Sequence, residues 1–408
     1  MDRKLKQYAE LIVKQGVNLQ KGELVAISSP VMAADLTEAI AEAAYKCGAR
    51  KVMVMWNDEK LGKLANVYES EESLNEEPAH IVASRDYILD NEGVYIALLS
   101  DIPGILKDVD AKKVGARNKA VRLALKRFRD STNINATRWC LAAYPNECWA
   151  KKMFPDLPED KAVEKQWEFF HKTLRLDKED YLGEWKKHQE NLARRSKFLN
   201  EANIKSFRYK NSIGTDFRIG MPKGYIFTGA VEKSRGGVDF TANLPTEEVF
   251  SSPDKNTAEG TLVAALPLVR NGVIIENFSL TFEKGRVVDF KAEKGYDTLK
   301  EIIETDEGSH RLGEIALIGY DSPIQNLKTL FYETLFDENA SCHFALGRAF
   351  PTCLKGGEDM SDEELSAAGL NNSLEHVDFM VGTKDLSIVA ATEDGREIEI
   401  FRNGNWVI

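Results

Sequence analysis

Three stretches in the second half of this 408-residue chain place acids beside imidazoles or beside one another. The first is Ala242-Asn-Leu-Pro-Thr-Glu-Glu-Val-Phe250, where Glu247 and Glu248 follow a Pro-Thr turn. It can be a helix start, with Thr246 as cap and the acids answering the helix dipole, or a source of ligands. The second is His310-Arg-Leu-Gly-Glu-Ile-Ala-Leu-Ile318. Its spacing predicts Glu314 at the mouth of an apolar strand, with the carboxylate emerging where the sheet ends. Strand ends often carry function, but a single acid there is usually an ordinary boundary residue. The third runs from Phe336-Asp-Glu-Asn-Ala-Ser-Cys-His343 to Glu375-His-Val-Asp-Phe-Met-Val381. His376 and Asp378, two apart on a predicted strand, share a face, either as a hydrogen-bonded pair or as two ligands of one metal.

Together, Glu248, Glu314, Glu338 and Asp378 with His343 and His376 form an oxygen-rich ligand set. Four clustered carboxylates repel one another and force some protonation. Two divalent cations would balance them formally, with neutral imidazoles completing the shells. A carboxylate-bridged pair of metal ions can hold a hydroxide nucleophile and polarise a carbonyl, which is hydrolase chemistry. Of the other four imidazoles, those of His80, His171 and His188 fall in polar helical stretches and read as solvated surface, while His310 lies in the strand-rich half. Phosphate-loop, dinucleotide, nucleophile-elbow and His-Glu-x-x-His motifs are all absent from the sequence.

The elements that must position these residues change character midway. Up to about residue 160, apolar strands alternate with helical periodicity: strands at Leu24–Ile27, Lys51–Trp56, Val94–Leu99 and Trp139–Ala143. Helices are predicted around Leu5–Val13, Leu36–Ala44, His80–Asp90 and Ala111–Arg129. That alternation implies crossovers and a mostly parallel sheet. Lys161–Leu199 reads as long polar helices. Beyond Ala202 the pattern becomes short strands, at Phe207–Lys210, Thr215–Ile219, Tyr225–Phe227, Val273–Phe282, Arg286–Phe290, Ile398–Phe401 and Trp406–Ile408, with Gly-containing hairpin turns. The expected architecture is an α/β domain over 1–200 and a strand-rich α+β domain over 201–408 that carries the metal site.

Composition narrows the class further. The net charge of −11 argues against nucleic acid or an anionic membrane as the main partner. Five scattered cysteines without a Cys-x-x-Cys read as reduced thiols. No run approaches the roughly 18 apolar residues of a membrane span, and the expectation is a cytoplasmic protein.

Asn243-Leu-Pro-Thr-Glu-Glu-Val-Phe250, Gly313-Glu314, Asp337-Glu-Asn-Ala340 with His343, and His376-Val-Asp378 together resemble the aminopeptidase T/aminopeptidase S family of metallopeptidases, which includes PepS-type enzymes. The opening, from Tyr8 to Val52, is similar to that family as well. The resemblance implies a homodimeric cytosolic exopeptidase with two cocatalytic metals (zinc, cobalt or manganese), acting on peptides with a free N-terminus. It implies Glu248, Glu314, His343, His376 and Asp378 as ligands, Glu314 as the bridge, and Glu338 as a further ligand or the catalytic base. One position departs: the residue seven after His343 is tyrosine in the family pattern and Phe350 here. Readings outside the family remain open on the residues alone: a dinuclear hydrolase of another amide or ester, or a binding protein in which the acid–histidine clusters are ion pairs.

Overall fold

The computed structural model describes residues 3–270 and 273–408. The chain divides into two compact units, Met1–Glu184 with Val231–Pro245, and Trp185–Ala230 with Thr246–Ile408.

The first unit is built on five parallel strands in the order Lys51–Asn57, Leu24–Pro30, Val94–Leu99, Trp139–Ala143 and Asn243–Leu244. Leu24 to Ile27 are fully buried, as a strand covered on both faces requires. Tyr8, Ala9, Ile12 and Val13 are likewise buried along the first helical stretch. The helix predicted over Ala111–Arg129 is two, Ala111–Ala124 and Lys126–Asn133, because the backbone turns at Leu125. No glycine or proline marks that break.

Among the described residues, the second unit contains two larger antiparallel sheets and a two-stranded one. Of the larger two, one has eight strands and includes Ile204–Lys210, Asp216–Gly220, Ser387–Thr392 and Glu397–Arg402. Its hairpins turn as their glycines predict: Lys284 and Gly285 both have positive φ (46° and 82°), as do Asn403 and Gly404 (51° and 74°). Two expected strands differ. Val273–Phe282 is interrupted at Asn277, whose φ of 49° is left-handed. Val273–Ile275 therefore pairs with Leu268–Arg270, and only Ser279–Glu283 enters the large sheet. Tyr225–Phe227 makes a single bridge, Tyr225 to Leu354, rather than a strand.

The other larger sheet has four strands in the order Val249–Ser251, Leu312–Leu317, His343–Gly347 and His376–Met380. One face carries Val249, Ile315, Leu317, Phe344, Leu346, Val377 and Phe379 into the hydrophobic core. There the Phe344 ring lies 5.1 Å from Tyr209 and 5.3 Å from Phe217. The opposite face carries the polar residues. Directly opposed antiparallel residues point the same way, so Glu314, Ala345 and Asp378 form one row, with His343 and His376 beside it.

Glu314 lies within its strand rather than at the mouth expected from sequence. The register with the His343 strand shifts between Leu312 and Glu314. This bulge lets Leu312 face the core while Glu314, two residues on, faces away from it. Gly313 is required there: a Cβ would sit 2.3 Å from the carbonyl oxygens of both Gly347 and Arg348. Gly313→Ala should therefore cost about 1–3 kcal/mol of folding stability. It should also lower activity more than a stability loss of that size explains, because Glu314 is re-aimed. Urea unfolding alongside activity at a temperature where the variant is fully folded checks this.

Candidate metal centre

The Glu-Glu segment does not begin a helix. Thr246 to Glu248 lead directly into the edge strand Val249–Ser251, so the capping alternative falls and Glu248 is free to face the other acids. Glu248 and Glu314 are 6% and 4% exposed, and Asp378 is 8% exposed. The Nε2 atom of His343 is 3.4 Å from a Glu248 carboxylate oxygen and 3.9 Å from Glu314 Oε1. The Nε2 atom of His376 is 3.0 Å from Glu314 Oε2 and 3.4 Å from Asp378 Oδ1. Glu248, Glu314 and His343 offer ligand atoms that all lie within 4.8 Å of one another, and so do Glu314, His376 and Asp378. Glu314 belongs to both trios. The small Ala345 side chain between Glu314 and Asp378 adds no bulk to that row.

Two observations fit a divalent cation to these residues. Asp378 Oδ1 is buried without a hydrogen bond among the described residues. Both imidazoles also present Nδ1 to backbone carbonyls: His376 to Arg348 O at 2.7 Å and His343 to Ser341 O at 3.3 Å. With Nδ1–H donating there, the Nε2 lone pairs face carboxylate oxygens, an arrangement that needs a proton or a metal between them.

The electrostatics agree. Burial pushes the Glu314 carboxyl above the usual range, with Asp378 and Glu248 adding to the shift against the opposing His376. Burial, together with Asp378, Glu248 and Glu314, pushes Glu338 well up. Burial works against the imidazoliums, but the surrounding acids outweigh it, bringing His343 up to about 9 and His376 well above its ordinary value. Asp378 is held low, its burial outweighed by His376 and His343. In the absence of cations, the site retains protons in their place.

Glu338 occupies a short 3₁₀ turn, half-buried and near these acids, but belongs to neither trio. Phe350 lies against the site: its ring centroid is 5.0 Å from that of His376 and 5.7 Å from that of Phe250. Its backbone N–H donates to Ser252 Oγ at 2.9 Å. Two histidines assigned to solvated surface prove otherwise. His171 is buried and stacks on Trp167, and the His188 side chain is 10% exposed, 3.6 Å from Glu247. His80 is exposed, as expected. Sequence reasoning also passed over Asn339, which is fully buried beside Glu338. Its place inside the Asp337–Ala340 motif was the available signal.

Comparison with known proteins identifies the family. The sequence profile of a family described as thermophilic metalloprotease (M29) matches residues 1–406. Aminopeptidase 2 of Geobacillus stearothermophilus is 40% identical over 99% of this chain and 98% of its own. Aminopeptidase AmpS of Bacillus subtilis is 42% identical over the same shares. The structure of wild-type AmpT from Thermus thermophilus superimposes with a TM-score of 0.92 at 33% identity, over 100% of this chain and 99% of that one. A 2,5-dihydroxypyridine dioxygenase from Pseudomonas putida KT2440, at 14% identity and a TM-score of 0.52, shares the fold alone. With acids and imidazoles gathered on one sheet face and kinship running the full length, this chain belongs to the peptidase M29 family and is a metallo-aminopeptidase.

Proposed function

We propose that the centre is dinuclear, with one ion held by Glu248, Glu314 and His343 and the other by Glu314, His376 and Asp378. The membership of Glu314 in both trios is the observation that carries this reading. Carboxylate and imidazole donors suit zinc, cobalt or manganese. When bound, such ions polarise a peptide carbonyl and make water a competent nucleophile at neutral pH.

The protein groups have distinct tasks in this scheme. Arg348 O and Ser341 O hold the two imidazoles in one tautomer and orientation. Glu314 fixes the separation of the two sub-sites. Glu338, outside both trios but near their acids, is the group that takes a proton from water and returns it to the leaving amine. Burial and the surrounding carboxylates hold its proton tightly, and positive charge entering the site lowers its pKa towards a working range. The substrate is a peptide with a free N-terminus, whose amine is oriented by the same acidic surroundings. The catalytic part of the chain is 201–408, and the working form is a cytoplasmic homodimer that needs neither nucleic acid nor membrane.

Three outcomes follow. Alanine in place of Glu248, Glu314, His343, His376 or Asp378 should abolish activity, and zinc, cobalt or manganese should raise the melting temperature of wild type but raise it less in these variants. Near-normal turnover by any two variants after chelation and metal readdition would sink the dinuclear assignment. Acetylating the N-terminus of a peptide should abolish cleavage, whereas amidating its C-terminus should change the rate little. A mass-spectrometric time course distinguishes loss of the first residue from internal cuts. Phe350→Tyr should raise turnover at unchanged metal content, because a phenol beside His376 can donate to the developing oxyanion. One such donor is worth about 10²–10³ in rate. Steady-state kinetics with metal analysis read the result, and no gain would mean that the ring serves packing only.

A further inference from the structure

Four of the five trio residues sit on strands whose backbones are paired in register: Glu314, His343, His376 and Asp378. Glu248 does not. The ladder of its strand begins at Val249, opposite Leu317, and Glu248 lies just before it. A ligand without sheet support needs its backbone held by something else.

That support is visible one residue upstream. The peptide unit joining Thr246 to Glu247 has both of its polar groups engaged by side chains. The Thr246 carbonyl oxygen lies 2.8 Å from Nε2 of His188, on the helix Tyr181–Glu201. The N–H of Glu247, the other end of the same peptide, donates to Asn339 Oδ1 at 2.8 Å. Asn339 is itself anchored: its Nδ2 donates to Leu335 O at 2.9 Å, and the residue is fully buried. The His188 ring packs edge-on against the buried Trp185, with centroids 5.6 Å apart. Thr246 and Glu247 are 3% and 8% exposed, so water does not compete freely for these groups.

We propose that His188 and Asn339 are positioning residues which clamp the Thr246–Glu247 peptide plane from its two ends and so fix the carboxylate of Glu248 for one of the two ions. This inference rests on the dinuclear reading. His188 acts as a donor through Nε2–H, and Asn339 as an acceptor through Oδ1. Neither belongs to either trio of ligands. Outer partners of metal ligands typically change affinity by about 10–100-fold when removed. The effect here should be selective, because Glu248 belongs to one trio and not to the other.

The test uses the full-length protein, stripped of metal and titrated calorimetrically with zinc or cobalt alone. Wild type should show two binding events. His188→Phe keeps the ring against Trp185 but loses the donor, and Asn339→Leu keeps similar bulk but loses the acceptor. Each should weaken one event by about 10–100-fold and leave the other within about twofold. His188→Gln, which restores an N–H at similar reach, should recover most of the loss. Since both bonds hold one rigid peptide plane, the double variant should fall short of the summed losses. Should Asn339→Leu fail to fold, the His188 pair alone carries the comparison. Equal weakening of both events, unchanged binding in the variants, or fully additive losses would overturn the clamp while leaving the two-ion reading intact. Wild type that takes up fewer than two ions would overturn that reading, and the clamp with it.

Discussion

Like-charge repulsion on one buried sheet face is the constraint around which the second unit is organised. Two carboxylates about 4 Å apart repel by roughly 4 kcal/mol at an effective dielectric near 20. Glu248, Glu314 and Asp378 crowd together with less than one tenth of each residue exposed, and Glu338 lies close by. Two imidazoliums would offset only half of four negative charges. Two dications would offset all four and leave the imidazoles neutral, with Nε2 available for coordination. The opposite face of the same sheet, made of Ile315, Phe344, Leu346, Val377 and Phe379, is what makes this crowding sustainable. Its burial fixes strand register, and register fixes which residues meet on the acidic face.

Much of this was legible in the sequence because period two along a strand is a strong rule. His376 and Asp378 had to share a face if their segment was extended, and it is. The parallel first sheet was equally visible, since buried strands such as Leu24–Ile27 are continuously apolar and alternate with helical periodicity. Less legible was everything set by a single backbone irregularity. The bulge at Gly313 places Glu314 mid-strand, and the left-handed Asn277 splits the stretch Val273–Phe282 into strands of different sheets.

Long-range contacts were illegible for a different reason. His188 is 58 residues from its partner Thr246, on a helix whose charged neighbours resemble a solvated surface. Its burial follows from the Trp185 one turn before it and from the distant acidic segment that meets it, and the second has no local signature. Asn339 was in plain view inside a quoted motif, but an asparagine next to a glutamate suggests a turn unless the distant N–H it accepts from is known.

The distribution of roles between strands and loops explains how one scaffold can serve unrelated chemistries. The dioxygenase that shares this fold at 14% identity shows that the architecture alone selects no reaction. In this chain the proposed centre rests on a small set of residue types at fixed register: Glu314 opposite Ala345 opposite Asp378, with the imidazoles turned by backbone carbonyls. A side chain larger than Ala345 would enter the space between Glu314 and Asp378, where the proposed centre needs the two carboxylates to converge. The sheet thus supplies rigid spacing and the small residues supply room, while the segment ending at Glu248 enters from outside the ladder and closes the site from its edge.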